Sequence, residues 1–324
     1  MFSSLRLAAL ASISVSLLFA STALGLVIPE RRAQLCNGHA ELCDRKYGNV
    51  TFLGSHDSFA FSGNPFALAR TQEVDLKAQL TMGVRMLQAQ SHMNGNELHF
   101  CHTYSHLLIF SQSLFDGGTV EAYLKKVKHF LDRHPNEVLT LVLTNPENLS
   151  VTKVWEPIFN KTGIADMAYV PPQPIMARDD WPTLGEMIES NKRVVIFLDK
   201  AADNPVDRVE YVLPQFQMMW EDVFDPQDAH FPCKVDRTSA PLAPNQQLSL
   251  INHNLNANIF PIGRGILIPD RLNSPRTNSI SSILSHSDHC SRYVEDKYPN
   301  FVLLDYVNVG QAVDAVNRLN GFAI

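Results

Sequence analysis

Short apolar runs recur from about residue 48 to the end of the chain, most followed by a polar cluster and a stretch of helical period. Val50-Thr-Phe-Leu53 predicts a strand ending at Gly54-Ser-His-Asp-Ser58. Thr71 to Met82 predicts a helix, with Val74, Leu76, Leu80 and Met82 toward one side. Val84 to Gln90 reads as a second strand and Leu98 to His102 as a third. Val120 to His134 carries an amphipathic helical pattern, and Val138–Leu143 and Val194–Leu198 are buried strands. Leu248–Leu255 is a further strand, Phe301–Leu304 the last, and Gln311–Leu319 the closing helix. Asp203 to Asn245 is rich in Pro, Asp and Gln and reads as an irregular excursion.

Continuous Val/Ile/Leu runs separated by helices indicate parallel strands buried on both faces. The expected fold is α/β, a single-domain TIM-like (β/α) barrel, with a doubly wound open sheet as the alternative. No GxGxxG supports the open sheet. There is no internal repeat and no low-complexity tract.

The first segment differs in kind. Arg6 precedes an apolar stretch, Leu7 to Phe19, and Ala23-Leu24-Gly25 places small residues where a signal peptidase cuts. Residues 1–25 are therefore expected to be a signal peptide, because the apolar run is shorter than the roughly 20 residues of a membrane span. Residues 26–46 would form an N-terminal disulfide loop segment and 47–324 the barrel. Sequons at Asn49, Asn148 and Asn160 suit a secreted, extracellular glycoprotein. Among five cysteines, Cys36 and Cys43 are close enough to close a small loop, and Cys233 and Cys290 remain as a long-range pair. Cys101 is then the free thiol, although the connectivity stays open at this level. No CxxC pair suggests a cysteine metal site. The composition, 45% hydrophobic and 19% charged, is that of a globular protein. A net charge of −6 with no Lys/Arg block speaks against nucleic acid as a partner.

In barrels of this kind, functional groups gather after the carboxyl ends of the strands. The polar residues there are His56 and Asp57, Gln88 and Gln90, His102, Asn145 and Glu147, Asp199 and Lys200, and Asp305. Two histidines and an aspartate suit acid–base chemistry near neutral pH. Each also has a plainer reading: a histidine after a strand is commonly structural, and Asp57 or Asp305 could cap a turn.

Phe52-Leu-Gly-Ser-His-Asp-Ser58 resembles the first catalytic-histidine motif of the phosphatidylinositol-specific phospholipase C X-domain family. Gln79-Leu-Thr-Met-Gly-Val-Arg85, Leu98-His-Phe-Cys-His102-Thr and Phe301-Val-Leu-Leu-Asp305-Tyr-Val-Asn resemble further segments of that family, in the same order. The wording around Cys36–Cys43 and Met86-Leu-Gln-Ala-Gln90 is similar to a secreted fungal branch. The resemblance implies a TIM-like barrel in which His56, held by Asp305, is the general base. It implies His102 as the general acid and Asp57 beside the phosphate or the leaving group. By position, Glu147, Asp199 and Lys200 would line the head-group pocket.

One departure stands out. Where metal-independent relatives carry an Asp and an Arg on the second strand, this chain carries neutral Gln88 and Gln90. These supply neither a positive charge for phosphate nor a hard anionic ligand for Ca²⁺. Arg85 precedes the strand end and reads as structural. No cofactor or metal is expected, with a calcium requirement left open. The expected function is a phosphoric diester hydrolase acting on an inositol- or glycerol-phosphoryl lipid. The alternative is a weakened or inactive barrel that binds a polyol phosphate or cell-wall ligand. A metal-dependent glycerophosphodiester hydrolase ranks third, because its carboxylate pair is missing.

Overall fold

Unbroken β-branched and aliphatic runs such as Val194–Leu198 bury every side chain, as strands covered on both faces must. In the computed structural model, which describes residues 33–64, 66–102, 115–259 and 266–323, these runs become a curled sheet. The side chain of His102 and the signal segment lie outside the described residues. Strands β1 (Phe52–Ser55), β2 (Met86–Asn94), β3 (Glu97–His102), β4 (Phe115–Thr119), β5 (Leu139–Thr144), β6 (Val194–Leu198) and β7 (Val212–Pro214) come first. They are followed by β8 (Met219–Asp222), β9 (Val235–Arg237), β10 (Leu248–Asn252), β11 (Asn256–Asn258), β12 (Leu267–Pro269) and β13 (Phe301–Leu304).

The sheet order is β7-β6-β5-β2-β1-β13-β10-β8-β9. All pairings from β7 to β8 along this path are parallel. The strands β1, β2, β5, β6, β7, β8, β10 and β13 thus follow one another around a barrel in chain order. Among the described residues no pairing joins β7 to β8, so the barrel stays open at that seam. The antiparallel strands β3 and β4 extend from β2, and β9 folds back on β8. Residues Arg32–Ile324 form one compact unit.

The expected excursion at Asp203–Asn245 is corrected here: it contains β7, β8 and β9. These strands are three or four residues long and carry Pro214, Glu221 and Asp222, so they lack the apolar runs that mark the others. Leu98–His102 is a strand, but it is antiparallel and outside the barrel wall. The helix expected from Thr71 begins only at Leu76, where the Asp75 carboxylate accepts the Ala78 N–H at 2.8 Å and caps it. The helix Val120–Arg133 buries Val120, Tyr123, Leu124, Val127, Phe130 and Leu131, the stripe its period predicts.

Close packing fixes the first motif. A Cβ at Gly54 would meet Met86 Cε at 2.5 Å and the Val302 carbonyl oxygen at 3.1 Å, so a side chain there would have to displace the end of Met86. Cys36 is bonded to Cys43 and Cys233 to Cys290, and Cys101 is free and buried. Asn49, Asn148 and Asn160 are all exposed. No helix among the described residues is long and apolar enough to cross a membrane.

Candidate functional site

Parallel pairing places Ser55 of β1 beside Leu304 of β13, so the residues that follow, His56 and Asp305, leave the sheet side by side. His56 Nδ1 meets Asp305 Oδ1 at 2.8 Å. This bond fixes the ring orientation and leaves Nε2 directed to the mouth, with Asp57 Oδ2 3.9 Å away. Burial opposes charge on the ring. The Asp305 carboxylate outweighs it by charge and hydrogen bond, with help from the charges of Asp57 and Asp225, and raises His56 to about 9. Such a ring binds its proton tightly, so its neutral form is a correspondingly stronger base.

A polar frame holds this pair. Gln72 Nε2 donates to the carbonyls of His56 at 3.0 Å and Leu304 at 3.1 Å, clamping β1 to β13. Gln79 Nε2 donates to Ser58 O at 2.9 Å while its Oε1 accepts from Ser55 Oγ at 2.8 Å. Ser58 Oγ and Tyr123 Oη lie 2.6 Å apart, tying the loop to the helix Val120–Arg133. Asp57 adopts φ +36°, a left-handed conformation, and its N–H donates to Gln88 Oε1 at 2.8 Å. The Gln90 N–H in turn donates to Asp57 Oδ1 at 3.1 Å. Gln88 therefore shapes the Asp57 turn, and its carbonyl oxygen is engaged there.

The other expected site residues are distributed. His102 ends β3, its backbone opposite Phe115, and its side chain lies outside the described residues. Glu147 Oε1 lies 2.9 Å from His92 Nδ1, so its partner is a histidine two positions beyond Gln90. Strand alternation puts Gln88, Gln90 and His92 on one face of β2. Asp199 accepts the Asn145 N–H at 2.6 Å, and burial pushes its carboxyl above the ordinary range. With Lys200, Gln215 and Arg237, Asp199 lines a cavity of about 370 Å³ whose lining does not include His56. Arg85 lies 2.7 Å from Glu137 and is structural.

Sequence reasoning missed Asn254, whose Nδ2 lies 3.3 Å from His56 Nδ1. Its signal was available: β10 ends at Asn252, so Asn254 is also a polar residue just past a strand. Taking the strand on to Leu255 hid it. Also missed was the ion pair of the buried Glu221 with the partly exposed Arg237, which Gln215 joins through a hydrogen bond to Glu221.

The pair has a pH signature. The folded-state pKa of His56 lies above its unfolded value, so the pair's stabilisation is complete below about pH 6.5. It is lost as pH rises through about 9. The melting-temperature advantage of the wild type over Asp305→Asn is therefore expected to shrink between pH 6 and pH 10, as followed by circular dichroism. An advantage that grows over this range would refute the assignment.

A parallel eight-strand barrel with a histidine–aspartate pair at its carboxyl end defines the class, and the comparisons agree. The family model described as PI-PLC X 1 matches residues 42–320, and the chain belongs to that family. It is 39% identical over 303 residues to "PI-PLC X domain-containing protein 1" of Arthroderma benhamiae, covering 91% of this chain and 92% of that protein. It is 37% identical over 286 residues to an "Uncharacterized secreted protein" of the same organism, covering 87% of this chain and 62% of that protein. Among solved structures, a phosphatidylinositol-specific phospholipase C from S. aureus superposes with a TM-score of 0.55 at 13% identity. That alignment covers 88% of this chain and 96% of the other, and it shows a shared fold.

Proposed function

We propose that this chain is a secreted phosphoric diester hydrolase of the phospholipase C type, acting on an inositol- or glycerol-phosphoryl lipid. The observation that carries the reading is the His56–Asp305 pair at 2.8 Å, with Asp57 beside it at the barrel mouth. Family membership and the name of the second Arthroderma relative support the reaction class and secretion.

In this reading His56 Nε2 removes the proton from a substrate hydroxyl, which attacks phosphorus. Asp305 holds the ring and stabilises its cation. His102 gives a proton to the departing alcohol oxygen, which leaves a cyclic phosphodiester; water deprotonated by His102 then opens that ring as His56 returns its proton to the original hydroxyl. Asp57 orients the exchange from beside His56. The developing phosphate charge falls near the face of β2 that carries Gln88, Gln90 and His92, where amide N–H groups and the His92–Glu147 pair can donate.

Hydrolysis of short-chain phosphatidylinositol and of a glycerophosphoryl ester, each with and without EDTA, tests the proposal. Turnover that survives EDTA supports a metal-independent route, whereas loss in EDTA with recovery in calcium favours a metal requirement. No turnover with any substrate leaves the non-catalytic binding barrel ahead. Gln90→Arg supplies the cation missing from β2 and is expected to raise kcat/KM several-fold, because charge-assisted contacts to phosphate are about twice as strong as neutral ones. A fall would place the phosphate away from this strand.

A further inference from the structure

Behind the His56–Asp305 pair, in the shell between the barrel and the helix Ile280–Ser291, lies a second polar array that the proposed reaction does not use. Asp222 ends β8, His253 follows β10, His286 stands on the helix, and all three are buried. His286 Nε2 lies 2.7 Å from Asp222 Oδ2, and His286 Nδ1 lies 2.9 Å from His253 Nδ1. His253 Nε2 lies 2.8 Å from the Thr277 carbonyl oxygen and 3.2 Å from Ser282 Oγ. Phe231 covers both rings, with centroids 4.1 Å and 4.9 Å away.

Counting protons fixes how many this array holds. A carbonyl only accepts, so His253 Nε2 carries a hydrogen. With the ring neutral, His253 Nδ1 is an acceptor, and the hydrogen between the two rings belongs to His286 Nδ1. One proton then lies between His286 Nε2 and Asp222 Oδ2, and the burial of both groups favours the carboxyl as its holder, the tautomer without separated charge. Asp222 Oδ1 remains an acceptor and takes the Asn252 N–H at 2.6 Å. Every group is satisfied and no net charge is buried. Burial works in the same direction: it pushes Asp222 up to about 7 and His286 down to about 3, and holds His253 well below its usual value. Among charged neighbours, Arg237 opposes protonation of Asp222, and His289 disfavours a cation on His286. Asp222, His286, Cys233 and Cys290 bring ligand-type atoms within 4.8 Å of one another, but the two sulfurs are spent in their disulfide.

The His253 end of the array leads to the site. The residue after His253 is Asn254, whose side-chain amide lies 3.3 Å from His56 Nδ1; that nitrogen donates to Asp305, so the amide can meet it only as an acceptor, through its oxygen. The residue after Thr277 is Asn278, whose Nδ2 donates to Asp305 O at 2.9 Å and Tyr306 O at 3.2 Å. The His253 N–H donates to Leu303 O at 2.9 Å, joining β10 to the strand that carries Asp305. We propose that Asp222, His286 and His253 form a neutral hydrogen-bonded relay, begun by a protonated Asp222, that positions Asn254 and Asn278 against the His56–Asp305 pair. Its value for turnover rests on the function proposed above; its protonation state does not.

Asp222→Asn is the direct test, because an amide reproduces a protonated carboxyl: N–H to His286, oxygen to the Asn252 N–H. Its melting temperature minus that of the wild type is expected to be near zero at pH 5. It should become positive between about pH 5 and pH 7 and level off above, because in that window the unfolded chain's carboxyl has lost its proton while the native array keeps it. A difference that stays flat or falls over this range would mean that no extra proton is held between Asp222 and His286, and overturns the relay. Nitrogen-15 NMR separates the neutral pair from its ion-pair tautomer, with His286 expected protonated at Nδ1 alone and His253 at Nε2; a His286 protonated at both nitrogens at pH 7 overturns the neutral relay.

Positioning is tested with Asp222→Leu, which removes the donor. The His56 titration followed by NMR is expected to move in this variant and to stay in place in Asp222→Asn. On short-chain phosphatidylinositol, kcat should fall about tenfold for Leu with KM within twofold, and recover in Asn. A Leu variant with the wild-type His56 titration and kcat overturns the positioning role. If the Leu variant does not fold, His286→Gln carries the same NMR comparison. A wild type without turnover sinks the function reading alone, since the thermal and NMR measurements do not need activity.

Discussion

His56→Ala is expected to lower kcat/KM toward short-chain phosphatidylinositol by about 10²- to 10⁴-fold, the usual contribution of a positioned general base. That corresponds to ~3–5 kcal/mol of barrier. The fold should be retained, because the His56 side chain is 16% exposed and the frame around it is built by Gln72, Gln79 and Ser58. Asp305→Asn should reproduce most of the loss, since an amide cannot stabilise the imidazolium that forms during proton transfer. The combined variant should be little worse than either alone if the two residues act as one unit. The measurement is steady-state hydrolysis, with circular dichroism melting to confirm that each variant is folded. Wild-type rates in His56→Ala would remove this histidine from the chemistry and with it the proposed reaction.

The largest stability loss is expected at Arg237→Ala. Glu221 is buried inside the barrel near the open seam, paired with Arg237, bonded by Gln215, and 3.4 Å from Asn252 Nδ2. Deleting the guanidinium leaves a buried carboxylate with only amide donors, which costs about 3 kcal/mol, the low end for a broken buried pair. The low end applies because the Arg237 side chain is 36% exposed and water screens part of the attraction. The guanidinium also lies over Phe216 and Phe224, at 5.4 Å and 4.7 Å from the ring centroids, and this contact is lost too. The double variant Arg237→Met with Glu221→Gln should recover most of the loss, because no uncompensated charge remains. Urea denaturation of the three proteins measures both effects. A double variant as unstable as Arg237→Ala would assign the loss to packing instead of charge.

Strands with long apolar runs were legible in the chain. Val194–Leu198 and Phe301–Leu304 fall where their apolar runs place them, because complete burial demands an uninterrupted run. The strands β7 to β9 were not legible. They are short, and they carry Glu221, Asp222 and Arg237, polar groups tolerable there only because Glu221 meets Arg237 and Asp222 meets a histidine across the fold. The candidate site divides in the same way. His56 and Asp305 were visible as polar residues directly after apolar runs. Asn254 was obscured by its strand's boundary, and the Asp222–His286–His253 array by a separation of 64 residues between its first two members.

What the sequence by itself determined was local. Apolar period fixed the main strands and helices, and the ordered motifs pointed to the family. What only the tertiary structure decided was pairing. It set Asp305 at 2.8 Å from His56 across 249 positions, gave Gln88 to the Asp57 turn and gave Glu147 to His92. It also showed that the Asp222 carboxyl faces an imidazole deep in the protein shell. The physical reason is that hydrogen bonds and charge pairs act over about 3 Å in space, with no period along the chain to announce them.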